Sequence, residues 1–173
     1  EFARRTGMIF LELSADKQGV LDSFFLKEKL DPVSLWDIFR NVQINGWYDR
    51  GVYEFLLDVW RLNHGLSGPE KVRVVAVDVP RPFAMFAGKE DMDKHFAGLP
   101  DRNTFMAETI FRSLQAGGGK RNALFIVGIL HAYKSITPAL PDGKPLDETH
   151  PTAAAQLAAR LSPGDVYSIF PHG

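Results

Sequence analysis

The chain has 173 residues, of which 45% are hydrophobic, a size and composition typical of one globular domain that buries a core. Its 20 basic and 21 acidic residues give a formal net charge of −1, so no nucleic-acid partner is expected. No apolar run approaches the roughly 20 residues of a membrane span. The absence of cysteine excludes disulfides, thiolate catalysis and cysteine-based zinc sites. No signal peptide is visible, and the compartment stays open between the cytoplasm and an exported or periplasmic location.

The first part of the chain predicts one buried strand followed by helices. GMIFLEL, residues 7–13, is a short apolar run and predicts the strand. Apolar residues at helical spacing then predict three helices, over residues 15–30, 33–42 and 45–66. Ser34 is a candidate N-cap of the second helix, and Gly65 suits the end of the third.

The second part predicts further strands alternating with helices. KVRVVAVDV, residues 71–79, is rich in β-branched residues and predicts a strand, which the loop PRPFAMFAGK follows. The remaining predicted elements are a helix over 100–120, a strand over 122–128, a helix over 149–161 with Pro151 in its first turn, and a strand over 165–170. Apolar strands that alternate with helices indicate a single α/β domain with a mostly parallel central sheet and helices on both faces.

Polar side chains follow each predicted strand, at the edge where parallel α/β sheets bind ligands. Glu12 interrupts the first strand, Asp78 ends the second, and the third and fourth lead to His131 and His172. A buried carboxylate needs an arginine, a histidine, a metal ion or backbone amides as partners. The alternatives are an exposed glutamate at a strand end, an aspartate that caps a turn, and a structural histidine.

Arg102 and Asn103 open the helix predicted over 100–120, and Asn103 lies on its apolar stripe. The planar guanidinium of arginine suits bidentate binding of a carboxylate, so we expect Arg102 to reach the strand ends and pair with one there. The alternative is an ordinary helix start, capped by Asp101 or Asn103. Tyr133 and Lys134 follow His131 closely and are candidates to support the same site.

Four stretches of the sequence resemble the erythromycin esterase-like superfamily, which includes TIKI-type and TraB-type proteins and certain haem-binding lipoproteins. IFLELS resembles the strand that bears the family glutamate, here Glu12. The stretch that ends in VAVDV resembles a helix followed by a strand ending in aspartate, here Asp78. DRNTFMAETI resembles the arginine-led motif, with Arg102 and Asn103, and VGILHAYKS resembles the glycine-to-histidine motif, with His131.

The resemblance implies one erythromycin esterase-like domain over residues 1–173 that hydrolyses an ester or amide bond of a small molecule or peptide. It implies Glu12, His131 and Arg102 as catalytic residues, with Asp78, Asn103, Tyr133 and Lys134 binding substrate or supporting the site. Glu12 and His131 are also the candidate ligands of a divalent metal ion. The family's first strand, which ends in a glutamate and a histidine, is not found in the sequence, and the abrupt start favours its loss upstream of residue 1.

Two other functions stay open. Some members of the superfamily bind haem, and Tyr133 beside His131 offers iron ligands for a haem- or ligand-binding module. The third possibility is a non-catalytic scaffold domain of the same fold, which predicts no shared pocket at the strand ends.

Overall fold

The structure of the chain is a computed structural model that describes residues 5–39, 50–117, 122–134 and 151–170. Within these ranges no helix has both the length and the hydropathy needed to cross a membrane. Parts of the helices predicted over 33–42 and 45–66, together with His150 and His172, lie outside the described residues.

A three-stranded parallel sheet forms the centre of the fold. Its strands are β1 (Thr6–Ser14), β2 (Arg73–Asp78) and β3 (Asn122–Ile126), in the order β2-β1-β3. In the register of β1, Leu11 lies opposite Ala76 on one side and Ile126 on the other. The carboxyl ends of all three strands therefore meet at one edge of the sheet.

Seven α-helices lie within the described residues: α1 (Gln18–Leu26), α2 (Trp36–Phe39), α3 (Arg50–His64), α4 (Lys89–Ala97), α5 (Arg102–Ala116), α6 (Ile129–Ala132) and α7 (Ala153–Arg160). Short 3₁₀ helices cover Ala15–Lys17, Pro32–Leu35, Gly68–Glu70, Phe83–Met85 and Pro163–Asp165.

Successive residues of β1 point to opposite faces of the sheet and enter two separate cores. Ile9, Leu11 and Leu13 join the first core, which also contains buried side chains of α1, α2 and α3. Phe10 joins the second core, which contains buried side chains of α5 and α7. Helices thus cover both faces of the sheet, which confirms the predicted α/β fold class.

The connections predict a crevice between the carboxyl ends of β1 and β3. From β1 the chain continues into helices on the first face, whereas from β3 it continues to α7 on the second. Adjacent strands whose connections leave toward opposite faces open a crevice between them, and ligands bind there in open α/β sheets. Glu12 shares the parity of Phe10 and therefore faces the second side, toward α5.

The fourth strand predicted over 165–170 is wrong. Residues 166–170 run beside residues 132–134, but side chains make the links: Lys134 Nζ donates to the carbonyl of Val166, and Ser168 Oγ donates to the carbonyl of Ala132 at 2.6 Å. A strand needs a ladder of backbone hydrogen bonds, which these contacts do not supply.

Three smaller predictions also need correction. Ser34 does not cap a helix, because its hydroxyl donates to the Asp31 carbonyl at 2.8 Å and the residue lies inside a 3₁₀ helix. Pro151 precedes α7, whose N-cap is Thr152, and so lies outside its first turn. The helix α4 follows the loop predicted after β2 and was not predicted, since none of its residues is buried to create an apolar pattern.

Candidate functional site

Glu12 is the centre of a cluster of polar side chains at the crevice. Its side chain is 6% exposed, and both carboxylate oxygens accept hydrogen bonds. Arg102 Nη2 donates to Oε1 at 2.6 Å, and the backbone amide of Gly128 donates to Oε2 at 2.7 Å. A Cβ atom on residue 128 would lie 3.2 Å from Oε2, so glycine permits this close approach. His131 Nε2 lies 3.5 Å from Oε1.

These partners keep Glu12 ionised. Burial by itself would raise the pKa of the carboxyl group. A charged His131, the hydrogen bond from the Gly128 amide and the charge of Arg102 outweigh it and lower the pKa from 4.5 to about 2. At neutral pH, Glu12 is therefore a fixed negative charge rather than a group that exchanges protons.

Asp78 is the second buried carboxylate of the cluster, with no exposed surface. Arg102 binds it through two nitrogens, with Nε 2.9 Å from Oδ1 and Nη2 2.7 Å from Oδ2. Arg81 Nη1 donates to Oδ2 at 2.6 Å, and the backbone amide of Val79 donates to Oδ1 at 2.9 Å. Asp78 thus accepts from its neighbour in the turn, as the capping alternative predicts, and also binds two guanidinium groups.

Arg102 joins the two carboxylates because α5 begins at the crevice. The Asp101 side chain accepts from the amide of Thr104 at 3.1 Å, and this N-cap fixes the first turn that carries Arg102. Burial by itself would lower the pKa of the guanidinium, but the hydrogen bonds and charges of Asp78 and Glu12 raise it. Arg102 stays charged, and its side chain remains 36% exposed.

One nitrogen of Arg102, Nη1, takes no part in the bonds to Glu12 and Asp78. The bonds to Glu12 and Asp78 use Nε and Nη2, and within the described ranges Nη1 has no hydrogen-bond partner. A guanidinium nitrogen is a donor in every state. Nη1 is therefore placed to bind a carbonyl oxygen or an anion.

The donor set does not suit a metal ion. Two carboxylates are matched by two guanidinium groups, so the cluster has no excess negative charge to attract a cation. Both oxygens of Asp78 are taken by arginines, and Arg102 shares Oε1 of Glu12. Among the described residues, no group of three histidine, aspartate or glutamate side chains is arranged to hold a metal ion.

His131 follows Gly128 on the single turn of α6, and this turn brings its ring back over the strand end. Its backbone amide donates to the Gly128 carbonyl at 2.9 Å, and its side chain is 15% exposed. Nδ1 lies 2.7 Å from Oδ1 of Asn103, the neighbour of Arg102 on α5. The structure therefore brings together five of the sequence-predicted site residues: Glu12, Asp78, Arg102, Asn103 and His131.

Comparison of the chain with family models, curated proteins and solved structures gives no match.

Tyr133 and Lys134 make their contacts elsewhere. The Tyr133 ring stacks on Phe170 with ring centroids 5.0 Å apart, and Lys134 Nζ lies 5.6 Å from the centre of the Tyr167 ring. These contacts fasten residues 166–170 to the segment after α6. We expected the two side chains to support the Glu12 cluster, but neither contacts it in the part of the chain that the structure describes.

Sequence reasoning missed two members of the cluster, Arg81 and the Gly128 amide. Arg81 lies in the loop after β2, where no periodic pattern exists; its position three residues after Asp78 is the signal that could have indicated it. His95 lies outside the cluster: its ring is half-buried against Phe86, and its Nε2 lies 2.9 Å from the Pro80 carbonyl oxygen. His64 also lies outside the cluster, stacked on Trp60.

Proposed function

We propose that the chain is a hydrolase of ester or amide bonds whose site is the crevice between β1 and β3. The observation that carries the proposal is one buried carboxylate, Glu12, with a partly exposed guanidinium bound at 2.6 Å and an imidazole nitrogen 3.5 Å away on the same edge of the sheet. The resemblance of the surrounding motifs to the erythromycin esterase-like superfamily supports the same class of reaction.

Two side chains have the exposure and chemistry to touch a substrate. His131 Nε2 takes the proton of an attacking water, which is the role of a general base. Arg102 Nη1 donates to the carbonyl oxygen, which becomes negative as the tetrahedral intermediate forms. Glu12 holds Arg102 in place and, with its pKa of about 2, does not take the proton itself.

The proposed reaction balances without a further reactant. The water oxygen forms a bond to the carbonyl carbon while its proton moves to Nε2 of His131. The bond to the leaving group then breaks, and the same proton passes to the leaving oxygen or nitrogen. The products are a carboxylic acid and an alcohol or amine, and His131 returns to its starting state. Small-molecule and peptide substrates both fit this chemistry.

The test is a panel of ester and peptide substrates, assayed with the purified chain and two pairs of variants. We expect hydrolysis in the wild type and a loss of about 10²–10⁴-fold in His131→Ala, the contribution of general acid–base catalysis. His95→Ala removes a half-buried histidine outside the cluster and is the matched control. Unchanged hydrolysis in folded His131→Ala would contradict the proposal.

The second pair tests the oxygen-binding role. Arg102→Lys keeps a charge but lacks the planar fork, so hydrolysis should fall by about 10²–10³-fold, as when one donor to an oxyanion is lost. Arg112→Ala changes an exposed arginine of the same helix and should leave hydrolysis unchanged. Equal rates in the two variants would remove Arg102 from the mechanism.

A ligand-binding module is the second candidate, and the free Nη1 edge of Arg102 favours it. Binding of an anionic ligand that depends on Arg102, in a chain that hydrolyses nothing on the panel, would support this function. Haem binding predicts a Soret shift on titration that disappears when Tyr133 and His131 are changed. The absence of a shift would remove the haem alternative.

A further inference from the structure

Asn103 contacts two nitrogen atoms from two different elements through a single oxygen. Its side-chain Oδ1 lies 2.7 Å from Nδ1 of His131 and 3.1 Å from the backbone nitrogen of Ala153. Ala153 is the first residue of α7, and Asn103 is the second residue of α5. The side chain therefore connects the start of two helices to the imidazole of the candidate site.

The Ala153 amide settles which atom of the Asn103 amide group faces His131. A backbone N–H only donates, so its partner must be the carbonyl oxygen and not the NH₂ group. This amide needs such a partner, because the first N–H groups of a helix have none within the helix. The N-cap oxygen of Thr152 is used by Ala155, at 3.1 Å.

The same oxygen decides where the proton of His131 lies. With the proton on Nδ1, that nitrogen donates to Asn103 at 2.7 Å, and the lone pair of Nε2 faces Glu12 Oε1 at 3.5 Å. With the proton on Nε2, two lone pairs would meet at 2.7 Å. A contact at 3.5 Å is at the limit of hydrogen bonding, so the shorter contact to Asn103 outweighs the attraction of the carboxylate.

We infer that Asn103 is a positioning residue that keeps a proton on Nδ1 of His131, so that Nε2 is the nitrogen that exchanges protons. The inferred tautomer depends on geometry alone, whereas its catalytic consequence rests on the proposed hydrolase. Nε2 is the nitrogen beside Glu12 and Arg102, and the tautomer leaves it free to accept a proton from water.

The tautomer is measured directly by long-range ¹H–¹⁵N NMR of the uniformly labelled chain at a pH where His131 is neutral. The His131 signals, among five histidines, are those missing in His131→Gln. We expect the wild type to carry the proton on Nδ1. A neutral His131 with its proton on Nε2 would overturn the inference, and this measurement needs no Asn103 variant to fold.

Two Asn103 variants and a control sharpen the result. Asn103→Leu keeps the volume but removes the acceptor, so the proton should move to Nε2, toward Glu12. Asn103→Asp keeps an acceptor oxygen and should retain the proton on Nδ1. Gln156→Leu removes another bond between α7 and α5, from Gln156 Nε2 to Thr104 Oγ1 at 3.1 Å, and should not change the tautomer. A proton that stays on Nδ1 in folded Asn103→Leu would contradict the role of Asn103.

Hydrolysis provides the second readout. Asn103→Leu should lower kcat by about 10²-fold or more at unchanged KM, and Asn103→Asp should recover part of the loss. A wild type that hydrolyses no substrate but carries the proton on Nδ1 would remove the proposed function and leave the inference on His131 standing. A wild type that hydrolyses a substrate but carries the proton on Nε2 would leave the proposed function standing and overturn the inference on His131.

Discussion

In β1, the side chains that face the first core are apolar up to the strand end, whereas on the second face the apolar side chain of Phe10 is followed by the charged one of Glu12. The neighbours Leu13 and Glu12 of β1 show the difference within one strand, because Leu13 joins the first core and Glu12 binds Arg102. Asn63, a buried polar residue of α3, binds both backbone groups of Val72, at 2.8 Å each. Both polar groups of the Asn63 side chain are used by the backbone of Val72, so neither is available to a ligand.

On the second face, the buried polar side chains of the Glu12 cluster lie at the crevice. Within the described residues no buried side-chain nitrogen or oxygen lacks a partner, so every buried polar atom of the cluster is satisfied. A satisfied buried cluster stabilises and orients its members, but removing one partner leaves the others as uncompensated charges. The comparison predicts that changes on the first face affect stability alone, while changes on the second affect stability and chemistry together.

Arg102→Ala is the change with the largest expected effect. It removes the shared partner of Glu12 and Asp78, and breaking a buried ion pair by removing one side costs about 3–5 kcal/mol. Urea unfolding measures the loss. Arg112→Ala, on the same helix and 79% exposed, should cost less than about 1 kcal/mol. A similar loss in both variants would show that the cluster does not stabilise the fold.

Leu56→Ala tests the first face. Leu56 is fully buried in the first core, and truncating a buried leucine costs about 2–5 kcal/mol. Hydrolysis per folded molecule should match the wild type, because no charged group of the crevice is touched. Thermal unfolding and the substrate panel measure the two quantities. If hydrolysis by Leu56→Ala fell as much as that by Arg102→Lys, the predicted difference between the two faces would be contradicted.

Acid should reduce the contribution of Glu12 to the free energy of unfolding within a defined pH range. The pKa of Glu12 is about 2 in the folded chain and 4.5 ordinarily, so its contribution is present above pH 4.5 and is lost as the pH falls toward 2. A shift of this size corresponds to about 3 kcal/mol. Unfolding free energies of the wild type and Glu12→Gln, measured from pH 6 to pH 2, should therefore converge on acidification. Parallel curves would contradict a lowered pKa.

The sequence predicts the parts of this fold that burial determines. The strands are recognisable because their apolar runs are buried, and Glu12 stands out because a charge interrupts such a run. Arg102 is recognisable as a polar residue at the start of an apolar helix. In each case a local pattern reflects a three-dimensional requirement.

The remaining features have no local pattern or a misleading one. The helix α4 has only two large apolar residues, Met92 and Phe96, and no buried one, which is too few for a recognisable periodicity. Residues 166–170 alternate between partly buried and exposed positions as a strand does, yet their links to the neighbouring segment are made by side chains. Arg81 binds Asp78 from three residues further along the chain, and this spacing alone indicates it.

Asp101→Ala is the smallest and most discriminating change. It removes the N-cap of α5 without removing a charge from the Glu12 cluster, and loss of such a cap costs about 1 kcal/mol. Asp93→Ala, on the exposed surface of α4, is the control and should cost less than about 0.5 kcal/mol. If the crevice depends on where α5 begins, Asp101→Ala should also lower hydrolysis, though by less than Arg102→Lys. Full hydrolysis with the expected loss of stability would mean that the ion pairs alone hold Arg102 in place.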